Sequence, residues 1–594
     1  MTEGLLSGLT AAQRRAALHL KGPMLVVAGP GSGKTRTLTA RLGYLLSAGH
    51  ARPEEVVAVT FTRKAAAEVR GRLMALLGSA AEGVRVGTFH AIARALRPPA
   101  GPILAEGDRW VLIRRAAERT GVEPRALQRA LGRYKSGLAG PELDHGDGAL
   151  AEAIGAYETL LQSLSVLDLD DLLLGALQGL RHSGRAPFRF VCIDEYQDCS
   201  PVQRALARAL GGPERNVFAI GDPDQAIYAF RGADSSGILS FCEDFPGAEV
   251  VDLCENFRST STIVQAAAAV IAGNLRPGRV PAVAVRGPGP PLCRIDAPSE
   301  DAEAERIVCE IERLLGGTSL SSHDLGRAAA HDAPAYSFCD IAVLARTGAR
   351  ADALAATLSR AGIPVQRPRR SLLEDDEARD LVAWLRLSAD PADRGALLRV
   401  LLRDWRAVLP QLEEAGRIAL EALEQDVRTA ITSRCATLAN MPYPERLEAA
   451  AALLGTPAEV YAAARALLDR HGPEGLLSDD GTGHESDELD PRAERVAVLT
   501  MHGAKGLEFP VVFVAGCEAA LLPGQGRTPA EVEEERRLFY VAMTRARDRL
   551  YFSWVRRGLG GTAAPSPFLG DVPAALLRLE TPPRRKRQPQ LKLF

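Results

Sequence analysis

The sequence predicts an α/β protein with two parallel-sheet cores, each interrupted by a helical insertion. Short runs rich in Val and Ile alternate with helix-like stretches, the pattern of parallel strands joined by crossover helices. The runs fall into two sets. The first is MLVVAG (24–29), VVAVTF (56–61), FRFVCID (188–194) and NVFAIGD (216–222). The second is DIAVLAR (340–346), VAVLT (496–500), PVVFVAG (510–516) and RLYFSW (549–554). Inside each set lies a long Ala-, Leu- and Arg-rich stretch, about 95–180 and about 376–478, that carries helical pattern only.

Bulk composition supports this division. At 594 residues the chain is too long for one hydrophobic core. Its 46% hydrophobic and 25% charged residues exclude fibrous and disordered classes. No basic leader precedes an apolar stretch, and no run reaches the roughly 18 apolar residues needed to span a bilayer, so the expected address is cytoplasmic, with no membrane partner. Nine cysteines without a CxxC pair point to buried thiols rather than a disulfide framework or a zinc cage. A net charge of −2 means that any polyanion must be held by a local groove. Only 7 of the 72 cations are lysines, and Lys34, Lys64 and Lys505 all fall in the motifs below, where a compact ammonium is called for rather than a planar fork.

The strongest motif is MLVVAGPGSGKTRTL: an apolar strand, then Gly29-Pro-Gly-Ser-Gly-Lys-Thr35, then a helix. This is the phosphate-loop pattern GxxxxGK[ST] in its required context. Glycines let backbone N–H groups and the helix N-terminus point at phosphate oxygens. Lys34 then reaches the β and γ phosphates, and Thr35 ligates Mg²⁺. Such a loop serves kinases, GTPases and motors alike. FRFVCIDEYQD narrows the choice, because it ends a strand with two carboxylates. Asp194 is placed to order Mg²⁺ and Glu195 to polarise an attacking water, which favours hydrolysis over transfer. Further on, VFAIGDPDQAIYAFRGAD sets Gln225 after a third strand as a γ-phosphate sensor, with Tyr228, Phe230 and Arg231 beside it as a base-stacking surface.

In this order the motifs resemble those of the UvrD/Rep/PcrA family of superfamily 1 DNA helicases over almost the whole chain. The resemblance implies two RecA-like motor domains with ATP between them. It implies that LTAAQ (9–13) puts Gln13 on adenine, and that Gly29, Gly31, Ser32, Gly33, Lys34, Thr35 and Arg36 surround the phosphates. AVTFTRKAAAEVRGRL (58–73) and VGTFHA (86–91) resemble strand-groove motifs, implicating Phe61, Thr62, Thr88, Phe89 and His90 in DNA binding. ENFRST (255–260) implies that Phe257 stacks on adenine and Arg258 touches the γ-phosphate. TMHGAKGLEFPVVFVAG (500–516) implies that Glu508 holds the ribose while His502, Gly503 and Lys505 face DNA. RRLFYVAMTRARDRLYF (536–552) makes Arg545 the arginine finger. Arg63, Phe257 and Phe230 stand where the family more often has Asn, Tyr and Trp.

The expected domains follow. Residues 1–94 and 181–275 form the first motor domain, with 95–180 its insertion. Residues 276–375 and 491–576 form the second, with 376–490 its reduced insertion and an acidic linker over 478–490. Residues 577–594 form a basic tail. Its last five residues, Gln590 to Phe594, resemble the bacterial sliding-clamp-binding pentapeptide, which makes the clamp an expected partner besides single-stranded and forked DNA. The implied activity is a 3′-to-5′, DNA-stimulated ATPase and helicase using ATP and Mg²⁺, in repair or replication. A translocase that strips proteins from DNA and a clamp-tethered ATP switch stay open, and residue type alone does not separate RNA from DNA.

Overall fold

In a computed structural model of the chain, β1 (Met24–Ala28), β2 (Val56–Thr60), β3 (Arg85–Thr88), β4 (Phe190–Ile193), β5 (Val217–Gly221) and β6 (Glu249–Leu253) form a six-stranded sheet in the order β3-β2-β4-β5-β1-β6. Every pairing in it is parallel. β2, β4 and β5 are buried at every position, since both faces are covered by helices; continuous apolar runs are what such strands require. On one face Leu38, Leu42, Val69 and Leu73 pack against Val26, Ala58, Phe190 and Phe218. On the other, Phe89, Ile92, Leu173, Leu177 and Leu206 pack against Val57, Val59, Val191 and Ile193. The structure describes residues 2–137, 148–212, 216–229, 237–276, 278–316, 336–368, 375–477, 489–490, 492–558 and 561–580.

Two short strands, β7 (Glu255–Asn256) and β8 (Val283–Ala284), pair in parallel. The second sheet is built from β9 (Leu292–Ala297), β10 (Ile341–Ala345), β11 (Val365–Gln366), β12 (Val496–Thr500), β13 (Phe509–Ala515), β14 (Ala546–Val555) and β15 (Leu577–Leu579). Its order is β11-β12-β10-β13-β14-β9-β15, again all parallel. Helices Glu300–Leu314 and Gly348–Arg360 cover one face through Ile307, Ile311, Leu354 and Leu358. Both sheets thus match the two sets of apolar runs.

The chain divides into two units: Met1–Ala28, Lys34–Leu253 and Arg369–Glu488 form one, and Gly29–Gly33, Cys254–Pro368 and Leu489–Phe594 the other. The second helical insertion is therefore not part of the core it interrupts in sequence. Leu112, Ile113, Tyr157 and Leu161 of the first insertion share one hydrophobic core with Trp384, Leu397, Leu401, Leu412 and Ile431 of the second. Charged groups lock the same junction. Arg399 donates to Asp108 at 2.8 Å and to Asp380 at 2.6 Å, and Glu413 accepts from Arg115 at 2.9 Å and Arg119 at 2.6 Å.

All nine cysteines are free; Cys192, Cys199, Cys435 and Cys517 are buried, and Cys242 is exposed. Among the described residues no helix is long and apolar enough to cross a membrane.

Candidate nucleotide site and nucleic-acid face

In the first unit the functional side chains sit at the carboxyl ends of the strands, where parallel α/β sheets place their ligand sites. Lys34 opens helix Lys34–Ser47, just after the loop that follows β1. Its Nζ is 3.8 Å from Glu195 Oε1, and this buried ammonium has no hydrogen-bond acceptor among the described residues. Thr35 is half-buried in the first turn. Arg36 is exposed and donates to Ser7 O at 3.2 Å. Asp194 follows β4, and its Oδ1 accepts from Glu195 N at 3.0 Å. Burial, then the neighbouring Glu195 charge, pushes the Asp194 carboxyl up to about 7, with Lys34 pulling the other way. A dication bound there would restore the carboxylate.

Glu195 holds φ +52, a left-handed backbone rare outside glycine. Its carboxylate accepts from Gln197 Nε2. Gln197 Oε1 in turn accepts from Asp222 N at 2.9 Å, and Asp222 Oδ2 accepts from Gln225 Nε2 at 2.6 Å. A continuous polar chain therefore runs from Lys34 through Glu195, Gln197 and Asp222 to Gln225. Gln197, Asp222 and Gln225 are all buried, so the chain is shielded from water and each bond counts for more than it would outside. Three residues beyond Gln225, Tyr228 stacks on Phe61, with ring centroids 4.8 Å apart and planes at 22°.

Gln13 is buried in a capping box, where its Oε1 accepts from Thr10 N at 3.0 Å. Thr62 and Thr88 are the N-caps of helices Arg63–Leu77 and Phe89–Leu96, and their hydroxyls accept from Ala65 N and Ala91 N. Desolvation pushes half-buried His90 down to about 4, so it is neutral at pH 7. Phe89 is 6% exposed, as Tyr228 is, and packs with Ile92 and Ala93 in the sheet core.

In the second unit Gly31 and Gly33 take φ +69 and +81, and Ser32 Oγ donates to Gly29 O at 2.7 Å. Asn256 Nδ2 donates to Pro30 O at 2.7 Å, and Phe257 N donates to Gly31 O at 2.9 Å. Asn256 Oδ1 meanwhile accepts from Arg258 N and Ser259 N. A Cβ on Gly31 would lie 2.6 Å from Arg258 Cβ, so only glycine fits. Arg258 Nε donates to Glu508 Oε2 at 2.6 Å and its Nη1 to Thr544 O at 3.2 Å. Arg545, 2% exposed, donates to Val541 O, Leu507 O and Thr544 Oγ1. Phe257 is exposed. Gly503 N donates to Thr500 Oγ1 at 2.9 Å, half-buried His502 precedes it and Lys505 is buried.

Residues 9–97 and 114–246 match the UvrD/REP helicase N-terminal domain, and residues 251–423 and 476–557 match the UvrD-like helicase C-terminal domain. The ATP-dependent DNA helicase UvrD1 of Mycobacterium tuberculosis is 32% identical, over 96% of this chain and 86% of its own length. The ATP-dependent DNA helicase PcrA of Staphylococcus aureus is 30% identical, over 99% of this chain and 90% of its own. The chain belongs to the UvrD/Rep helicase family. Among solved structures, the C-terminal domain of a possible DNA helicase from Lactobacillus plantarum aligns at 16% identity with a TM-score of 0.23, over 54% of this chain and 98% of that one.

For this UvrD-type helicase, three site residues escaped the motif reading: Gln197, Asp222 and Asn256. All three stand inside recognised motifs, but Gln197 and Asp222 partner each other across 25 residues and Asn256 partners Pro30 across 226. The residues present fit a magnesium nucleotide, because among the described residues the buried Lys34 ammonium has no hydrogen-bond acceptor and Asp194 is a buried carboxyl raised by burial and by Glu195. Among the described residues no three His, Cys, Asp or Glu side chains gather as a metal cage. Phe230, Arg231 and Gln590 to Phe594 lie outside the described residues.

Proposed function

We propose that this protein is an ATP-dependent DNA helicase that translocates 3′-to-5′ on single-stranded DNA and unwinds duplex or forked DNA in repair or replication. The observation that carries the reading is the buried polar chain from Lys34 to Gln225, which ends three residues from the Phe61–Tyr228 stack. A change at the γ-phosphate is felt first by Lys34 and Glu195. It is relayed by hydrogen bonds whose geometry admits few alternatives, and it arrives beside rings able to grip a base. Stacking suits a motor that ignores sequence, since every base has a π-face.

In this reading Thr35 and Asp194 hold Mg²⁺, which supplies charge neutralisation on the phosphates. Glu195 orients the attacking water, and Gln225 senses the γ-phosphate. Gln13 and Phe257 recognise adenine, Glu508 the ribose, and Arg258 and Arg545 the developing phosphate charge. Thr62, Thr88, His90, His502 and Lys505 border the strand. The motor domains are 1–94 with 181–275 and 276–375 with 491–576; the insertions are 95–180 and 376–490. Gln590 to Phe594 dock on the sliding clamp, and the protein acts in the cytoplasm.

Steady-state ATP hydrolysis tests the reading. Single-stranded DNA is expected to raise kcat by at least about tenfold, because strand binding completes a gated step. Single-stranded RNA should raise it less, and Lys34→Ala should abolish turnover. Equal rates with DNA, with RNA and with neither would end the motor reading. A second prediction concerns Gly31→Ala. A β-carbon at φ +69, crowding Arg258, costs about 1–2 kcal/mol. KM for ATP should therefore rise roughly tenfold with a smaller change in kcat; an unchanged KM would show that the loop accommodates the methyl.

A further inference from the structure

Two arginines of helix Lys34–Ser47 reach the N-terminal segment that carries Gln13. Arg36 Nη2 donates to Ser7 O at 3.2 Å, ahead of the helix Ala11–Leu18. Arg41 Nη1 donates to Ala16 O at 3.4 Å and to His19 O, in the last turn and at the C-cap of that same helix. Gln13 lies between the two ties. Lys34 and Arg41 are seven residues apart, two turns along one side of a single helix and about 10 Å in length.

Arg41 is an unusual side chain to find here. It is 1% exposed, its guanidinium carbon lies 4.5 Å from the centroid of Phe218 in β5, and its Nε has no hydrogen-bond partner among the described residues. Burial lowers its pKa, and the group that offsets this is the Cys192 thiol of β4 rather than a carboxylate. The guanidinium nonetheless stays charged at neutral pH. Its compensation comes from carbonyls at a helix C-terminus, which lack intrahelical partners and favour a cation. If packing were all this position supplied, Leu or Met would do it without the desolvation penalty. What only the cation supplies is a directional grip on the carbonyls of Ala16 and His19.

We propose that Arg41 is a positioning residue for base recognition: it clamps the C-terminal end of helix Ala11–Leu18 onto the helix that begins at Lys34, and so sets the distance between Gln13 and the phosphate-binding lysine. The proposal rests on the reading above in which Gln13 recognises adenine. The phosphates are gripped from Lys34 directly, but the base is gripped from a separate helix whose register is set by this internal cation.

The test compares ATP, GTP and inorganic triphosphate as substrates of the full chain with saturating single-stranded DNA, for wild type, Gln13→Ala, Arg41→Met and Arg41→Lys. Arg41→Met is expected to raise KM for ATP about tenfold with kcat within about twofold, to reduce the preference for ATP over GTP as Gln13→Ala does, and to leave KM for triphosphate unchanged. Arg41→Lys, which keeps the cation but ends one bond short of Nη1, should fall between. It also carries the test if thermal melts show Arg41→Met to be unfolded. An Arg41 variant that melts like wild type and keeps the full ATP preference overturns the proposal, provided Gln13→Ala has lost it. If Gln13→Ala also keeps the preference, the adenine-reading role of Gln13 fails and the proposal falls with it. Equal losses of kcat and kcat/KM on all three substrates would mark a purely structural role and would likewise overturn it.

Discussion

Glu195→Gln is expected to lower ATP turnover by about 10²- to 10⁴-fold, the usual worth of a positioned acid or base, while nucleotide affinity changes only a few-fold. The structure explains why so conservative a change should have so large an effect. Glu195 is the junction between Lys34, 3.8 Å from its Oε1, and the buried polar chain that begins with Gln197 Nε2. In the amide one oxygen can still accept from Gln197, but the other position becomes a donor turned toward an ammonium, and the charge proposed to polarise the attacking water is gone. A second effect runs the opposite way. The Glu195 charge is, after burial, the main influence raising Asp194, so the amide lets Asp194 ionise more readily and favours cation binding. Tight nucleotide binding with stalled chemistry is therefore expected, measured as a retained nucleotide Kd beside a collapsed steady-state rate. A turnover within tenfold of wild type would remove Glu195 from the chemistry. The left-handed backbone at residue 195 should persist in the variant, since it belongs to the turn after β4 rather than to the side chain.

What could be read without coordinates follows the range of each interaction. β2, β4 and β5 are legible because both faces are covered and every position must be apolar. The edge strands β3 and β6 are not, since exposed Arg85, Val250 and Asp252 break the run. Lys34, Asp194 and Glu195 sit in local motifs whose spacing is itself the chemistry. The bond from Asp222 to Gln197 spans 25 residues and that from Asn256 to Pro30 spans 226, so no window of sequence contains both ends. Phe89 shows the opposite limit. An aromatic at a strand end serves a core or a base equally well, and the sequence around it does not say that this ring packs among Ile92 and Ala93. The pairing of the two insertions is the furthest from legibility, because helical periodicity says that a face is apolar without saying what covers it.

That pairing supports the second large effect: Arg399→Met is expected to cost about 3–5 kcal/mol of stability, the cost of stranding a buried charge. Arg399 is 9% exposed and joins Asp108, 291 residues away in the first insertion, to Asp380 and Asp376 in the second. The three carboxylates do not suffer equally. Asp376 is largely exposed and can turn to water, and Asp380 keeps Arg403 at 3.0 Å. Asp108 is buried with Arg399 as its hydrogen-bonded cation, and burial already raises its pKa while Arg399 pulls it down. Most of the loss should therefore come from Asp108 alone, and the double variant Arg399→Met with Asp108→Leu should recover more than half of it, as removal of a whole buried pair often does. The pH dependence has a definite sign. Without Arg399 the folded-state pKa of Asp108 rises further above its unfolded value, so the deficit is full above that pKa and shrinks as pH falls through it. Urea denaturation followed by circular dichroism at pH 5 and pH 8 measures all of this. Because the core around Trp384 is shared by both insertions, the helical signal should be lost in one transition that shifts as a whole. An Arg399→Met variant that unfolds within about 1 kcal/mol of wild type at pH 8, with no rescue by Asp108→Leu, would show that the two insertions fold independently of this contact.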